Sequence, residues 1–111
     1  MTTFDEREKA FEKKFVHDEE LRFKATVRRD KLFGLWAAEK LGLKGNEAET
    51  YAKGVVKADF AHPGDEDILG KVKADLAAKA IDQSDRQLQH ALVDFMDEAL
   101  RQIEAEAGKA S

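Results

Sequence analysis

The sequence predicts an all-α fold, a small four-helix bundle preceded by a mobile, partly helical N-terminal arm. Three observations carry that expectation. Apolar residues recur at a period near 3.6, and strand-like alternation is scarce. The 111 residues include a single proline, and Ala, Glu, Lys, Leu and Asp dominate, a helical composition. Breaker signals also fall between the apolar stripes, at Gly42–Gly45 and at His62-Pro63-Gly64, and Ser84 with Gln87 marks a further box-like helix start.

The helices are expected over about 18–41, 47–61, 65–81 and 85–106, with residues 1–17 as the arm and 108–111 as a frayed tail. Helical signal begins at Thr3, where Thr3-Phe4-Asp5-Glu6 fits a capping box. It continues past a break near His17-Asp18 to Leu41, and Gly42 stops it. Leu21, Ala25, Leu32 and Trp36 form the stripe of this segment, widened by Phe23, Val27, Phe33 and Leu35. Asn46, with Glu49 three residues on, reads as the next N-cap. That helix carries Tyr51, Ala52, Val55, Val56 and Phe60. Asp65-Glu66-Asp67 then places acid in a first turn, where the helix dipole favours it. Ile68, Leu69, Val72, Leu76 and Ile81 follow as a buried stripe. Ser84 with Gln87 opens the last helix, whose stripe is Leu88, Leu92, Phe95, Met96, Ala99 and Ile103. Gly108 is expected to end it.

Composition narrows the function. Asp and Glu number 23 against 19 Lys and Arg, a net charge of −4, which argues against a nucleic-acid ligand. Without cysteine there is no disulfide framework and no Cys-ligated zinc, consistent with a reducing cytoplasm. No stretch approaches the roughly 18 apolar residues of a membrane span, and the N-terminus lacks the apolar core of a signal peptide.

The arm is the informative segment. At about 100° per residue, Phe4, Phe11 and Phe15 fall within roughly 20° of one line, offset by about 70° from the Leu21–Trp36 stripe. A helix this short is marginal alone, because about 12–15 good residues are needed in water. It suits a helix that orders in a groove accepting its rings. Burial contributes about 1.5–3 kcal/mol per Phe, against about 2–5 kcal/mol of ordering. The balance favours binding only when all three rings are buried. The competing reading packs these rings on the protein's own body.

Candidate chemistry elsewhere is sparse. His17 precedes Asp18-Glu19-Glu20, but consecutive helical residues do not converge on one ion. His90 and Asp94 are i,i+4 partners, read as a surface hydrogen bond rather than a metal pair, and His62 reads as a turn residue. No metal site, phosphate loop or nucleophile elbow is expected, so neither is an enzyme. Arg28-Arg29-Asp30-Lys31 is a mid-helix cluster, read either as solvated groups paired with acids or as a contact for phosphate or an acidic partner. Gly34 interrupts the longest helix, which a close helix crossing or room for the Trp36 indole would explain.

Four stretches resemble a known family. "KLFGLWAAEKLGL" (Lys31 to Leu43), "FVHDEELRFKATVRR" (Phe15 to Arg29), "GDEDILGKVKADL" (Gly64 to Leu76) and "TTFDEREKAFEKKF" (Thr2 to Phe15) look like the zeta subunit family of alphaproteobacterial ATPase inhibitors. The resemblance spans essentially the whole chain. It departs at Asp30, where Asn is common, and at Ala61-His62-Pro63, which replaces a more acidic loop. It implies a four-helix bundle that inhibits ATP hydrolysis by the F-type ATP synthase through its mobile N-terminus, similar in role to the mitochondrial inhibitor protein. On that reading Phe4, Phe11 and Phe15 anchor the arm, and Arg7, Lys9, Lys13 and Lys14 meet acidic groups of the target. The implied partner is the catalytic sector of the synthase, at the cytoplasmic side of the inner membrane, with the free protein a cytoplasmic monomer. No cofactor is implied. Two alternatives stand beside it: a small module binding ATP or ADP weakly, with Arg28, Arg29 or Lys31 at the phosphates, and a generic helical interaction protein.

Overall fold

The computed structural model describes residues 19–62 and 64–110, with side chains described through Ala107. Four helices follow one another: α1 (Glu19–Lys40), α2 (Asn46–Ala61), α3 (Asp65–Ala78) and α4 (Asp85–Ala110). No strand occurs among the described residues. The expected arm, residues 1–17, lies outside them.

Helix ends follow local chemistry. In α1, Glu19 and Glu20 occupy the first turn and Lys40 the last, each sign matching the helix dipole. Beyond it the Gly42 N–H donates to Glu39 O at 3.1 Å and the Leu43 N–H to Ala38 O at 2.9 Å. This is a Schellman cap, and Gly42 supplies its left-handed residue at φ 82°. The box at Ser84 is reciprocal: the Gln87 N–H donates to Ser84 Oγ at 3.1 Å, and the Ser84 N–H to Gln87 Oε1 at 2.9 Å.

Three expected boundaries move. α2 is capped by Gly45 rather than Asn46, with no side-chain capping bond. Gly45 turns at φ 56°, so the helix enters one residue early and Asn46 is already helical. α3 stops at Ala78 instead of 81. There Ala80, at φ 59°, forms a second Schellman cap, with the Ile81 N–H donating to Leu76 O and the Ala80 N–H to Ala77 O, both at 2.9 Å. The cap folds Ile81 back onto the core, which is why the helical period seemed to run through it. α4 passes through Gly108 to Ala110, since one interior glycine costs only about 1 kcal/mol.

Contacts along the helices set their directions. Gly34 meets Ala52, and Arg29 meets Asp59 further along α2, so α1 and α2 run antiparallel. Phe33 meets Phe95, whereas Arg28 meets Glu106, so α4 is also antiparallel to α1. α1 packs against all three other helices. The main core joins Phe33, Val55, Ile68, Val72, Leu76 and Leu88, all fully buried. Trp36 stacks on Phe33 at 5.7 Å between centroids, and Phe95 meets both rings edge-on. A smaller cluster forms further down α1, where Ala25 and Ile103 pack with Leu21, Met96 and Leu100. At the far end of α2 the Tyr51 hydroxyl donates to Asp75 of α3 at 2.7 Å. Burial, with the Asp75 carboxylate beside it, raises the phenol above its ordinary value.

The stripe on α1 differs from the expected one. Its deepest line is Ala25, Arg29, Phe33 and Ala37, while Leu32 and Trp36 are half-buried and Phe23 is 60% exposed. The shift has a physical cause. α1 packs mainly against α2 and α4 and more lightly against α3, so its buried line runs between the apolar flanks.

Candidate functional site

Between the two apolar clusters, α1 buries two charges. Arg29 is 7% exposed and Asp30 is fully buried. The Arg29 Nε and Nη2 donate to Asp30 Oδ1 at 3.1 and 2.9 Å. The same Nη2 donates to Asp65 Oδ1 at 2.9 Å and lies 3.7 Å from Asp59 Oδ2. One guanidinium thus ties α1 to the end of α2 and the first turn of α3. The geometry needs Asp59 at the position one helical turn beyond Val55 on the buried stripe of α2, and Asp65 at the N-terminus of α3.

Three carboxylates around one cation are electrostatically overfull. Burial pushes the Asp30 carboxyl up to about 8, and a hydrogen bond with Asp59 adds to this, against the pull of Arg29. No donor reaches Asp30 Oδ2. For Arg29, burial alone would lower the guanidinium, but Asp30 and Asp65 outweigh it and hold it above its ordinary value.

A groove of about 470 Å³ opens beside Arg29 between α3 and α4. Leu69, Leu92, Val93 and Met96 give it an apolar wall, and Asp65, Glu66 and Asp97 an acidic rim. Nearby, Phe23 and Phe60 are exposed and rest on each other with centroids 5.0 Å apart.

The cations read as a phosphate contact sit as follows. Arg28 pairs with Glu106, its Nη2 donating to Oε1 at 2.9 Å. Arg29 is enclosed as described, so it is not one of the solvated groups one reading assumed. Lys31 Nζ lies 3.6 Å from Glu49 on the exposed face. The structure therefore does not bring the three together on one open surface. His90 faces Asp94 at 3.4 Å, both exposed, and His62 is exposed at the bend after α2. Among the described residues no group of three or more His, Cys, Asp or Glu could hold a metal, and no helix is long and apolar enough to cross a membrane. Phe4, Arg7, Lys9, Phe11, Lys13, Lys14 and Phe15 lie outside the described residues.

Asp59 and Asp65 escaped the sequence reading as partners of Arg29. The available signal was an acid at a core register on α2, where Ala52, Val55 and Asp59 share spacings of three and four. Its counterpart was an arginine at a core register on α1, between Ala25 and Phe33.

Comparison with known proteins now places the chain. The family described as ATPase inhibitor subunit zeta matches residues 1–102. The chain belongs to that family. The match includes the N-terminal segment as well as the bundle. The zeta fold is similar to that of a protein solved by solution NMR, 43% identical, covering 78% of this chain and 98% of that one, with a TM-score of 0.68. No curated protein matches.

Proposed function

We propose that this zeta-family protein is a regulatory inhibitor of ATP hydrolysis by the F-type ATP synthase, acting by steric insertion of its N-terminal segment. The segment from Thr3 to about Glu19 enters a catalytic interface between the large subunits as a helix. Phe4, Phe11 and Phe15 are its apolar anchors. Arg7, Lys9, Lys13 and Lys14 meet acidic groups of the target. Wedged there, the helix blocks the conformational cycle that hydrolysis needs, while the bundle stays outside and orients it.

The observation that carries this reading is the reach of the family match, which starts at residue 1 and runs through α1, α2 and α3 into α4 as far as residue 102. The amphipathic logic of the arm supplies the mechanism, in the helix-in-groove mode. The test is an ATPase assay on the cognate catalytic sector, comparing the full chain with a version lacking the first sixteen residues. Inhibition is expected from the full chain alone. Equal inhibition by both overturns arm insertion, and no inhibition by either overturns the inhibitor reading itself.

A further inference from the structure

The groove between α3 and α4 joins an apolar wall to an acidic end. Leu69 of α3 and Leu92, Val93 and Met96 of α4 form the wall. Val93 is 61% exposed. A lone exposed valine is ordinary on a protein surface, but this one continues a run of apolar side chains that no described residue covers. The groove follows α4 from Gln89 to Asp97. That is about 12 Å at about 1.5 Å per residue, a little over two helical turns.

The acids gather at one end. Asp65 and Met96 also line the adjoining hollow beside Arg22 and Phe60, so they lie away from Gln89. Glu66 and Asp97 flank them. Arg29, the cation of the groove, is already turned to Asp30 and Asp65. Among the described residues neither Glu66 nor Asp97 has an ion-pair partner. The dipole of α3 accounts for acids in its own first turn. It does not account for Asp97, about three turns into α4.

We propose that this groove is the docking site for a basic amphipathic helix of a partner protein. The apolar stripe of that helix lies on Leu69, Leu92, Val93 and Met96, and its cations lie over Glu66 and Asp97. Two turns of floor take apolar anchors at i, i+3 or i+4, and i+7, the helix-in-groove mode, and the flexible Met96 thioether adapts to their shape. Charge complementarity selects the occupant. A neutral or acidic helix would cover the two carboxylates without pairing them, which costs binding energy, whereas a basic one pairs both. The proposal does not depend on the inhibitor reading.

Methyl NMR on the full chain tests it, with a synthetic amphipathic peptide that carries leucines along one face and lysines clustered at one end. Shifts are expected on the methyl groups of the four wall residues, with affinity falling as salt is added. The same peptide with glutamate in place of lysine is expected to bind at least about tenfold more weakly. Val93→Lys, at an exposed position outside the core, is expected to lower affinity about tenfold. Glu66→Gln with Asp97→Asn is expected to weaken binding several-fold and to flatten its salt dependence. Absence of binding, equal binding of the two peptides, or shifts confined to another face overturns the proposal. So do contacts in the free chain between the groove methyl groups and Phe4, Phe11 or Phe15, which would make the groove a seat for the chain's own N-terminal segment. Concentration-dependent dimerisation that moves the same methyl groups overturns it as well, by making the groove an interface between copies.

Discussion

At Gly34, α1 meets α2 backbone to backbone; at Arg29 and Asp30, little more than a turn away, the same helices meet through charge. The first contact is dry and close. A Cβ built on Gly34 would lie 2.7 Å from Ala52 Cα and 3.1 Å from its Cβ. The second is wide enough to hold a guanidinium and three carboxylates. Glycine lets two helices approach where nothing but backbone and methyl groups face each other. At Arg29 the contact is made instead by charged side chains from α1, the end of α2 and the start of α3. The comparison teaches that one helix pair divides its work. One end supplies packing, and the other supplies a polar fastening whose geometry depends on groups from three helices.

The ionic level is the one where loss should be greatest. Replacing Arg29 with Met keeps much of the apolar stem but strands Asp59 and Asp65 with no cation between them. Breaking a buried pair by removing one partner costs about 3–5 kcal/mol, and urea unfolding of Arg29→Met should show a loss of that order near pH 8. The loss should shrink near pH 5, where Asp30 already carries its proton and leaves less charge for Arg29 to balance. An equal loss at both pH values would mean that the side chain acts through packing, and the contrast between the two levels would collapse.

The dry level should respond less, and without pH dependence. Gly34→Ala gains about 1 kcal/mol of helix propensity. Against this, the new methyl group meets the Ala52 backbone, which cannot swing away as a side-chain tip would. Overpacking typically costs about 1–3 kcal/mol, so a net destabilisation is expected by the same unfolding measurement. A stabilised Gly34→Ala would show that the crossing yields freely and is not a close one.

How far the sequence could be read follows the same division. Features fixed by neighbours in the chain were legible: the Gly42 stop, the Ser84–Gln87 box, the α4 stripe and the small residue at the Gly34 crossing. Each depends on residues within a turn or two. The stripe on α1 was displaced because a helix packed against several others has no single apolar centre. Ile81 looked helical because a Schellman cap returns its last apolar residue to the face the helix would have filled. The site was half legible. Arg28, Arg29 and Lys31 stood out as a basic cluster, but their separate fates depend on register. Asp59 and Asp65 are 30 and 36 positions from Arg29, and only the folded pairing of α1 with α2 and α3 shows which acid meets which arginine.

The smallest expected effect separates burial from mere pairing. Arg28 is the chain neighbour of Arg29 and makes a two-pronged contact with Glu106 on α4, yet its side chain is 25% exposed and that of Glu106 is 48% exposed. Water solvates both charges whether or not they touch, so the pair adds little beyond what solvent already supplies. Exposed pairs of this kind contribute about 0.2–1 kcal/mol, so Glu106→Gln should cost no more than that, and less as salt is added. Arg29→Met should keep most of its penalty in the same salt, because Asp30 and Asp59 are shielded from bulk ions even though Asp65 is half exposed. Should Glu106→Gln prove as damaging as Arg29→Met, then pairing across helices would govern this bundle whatever the exposure, and the buried cluster would have no special standing among its ion pairs.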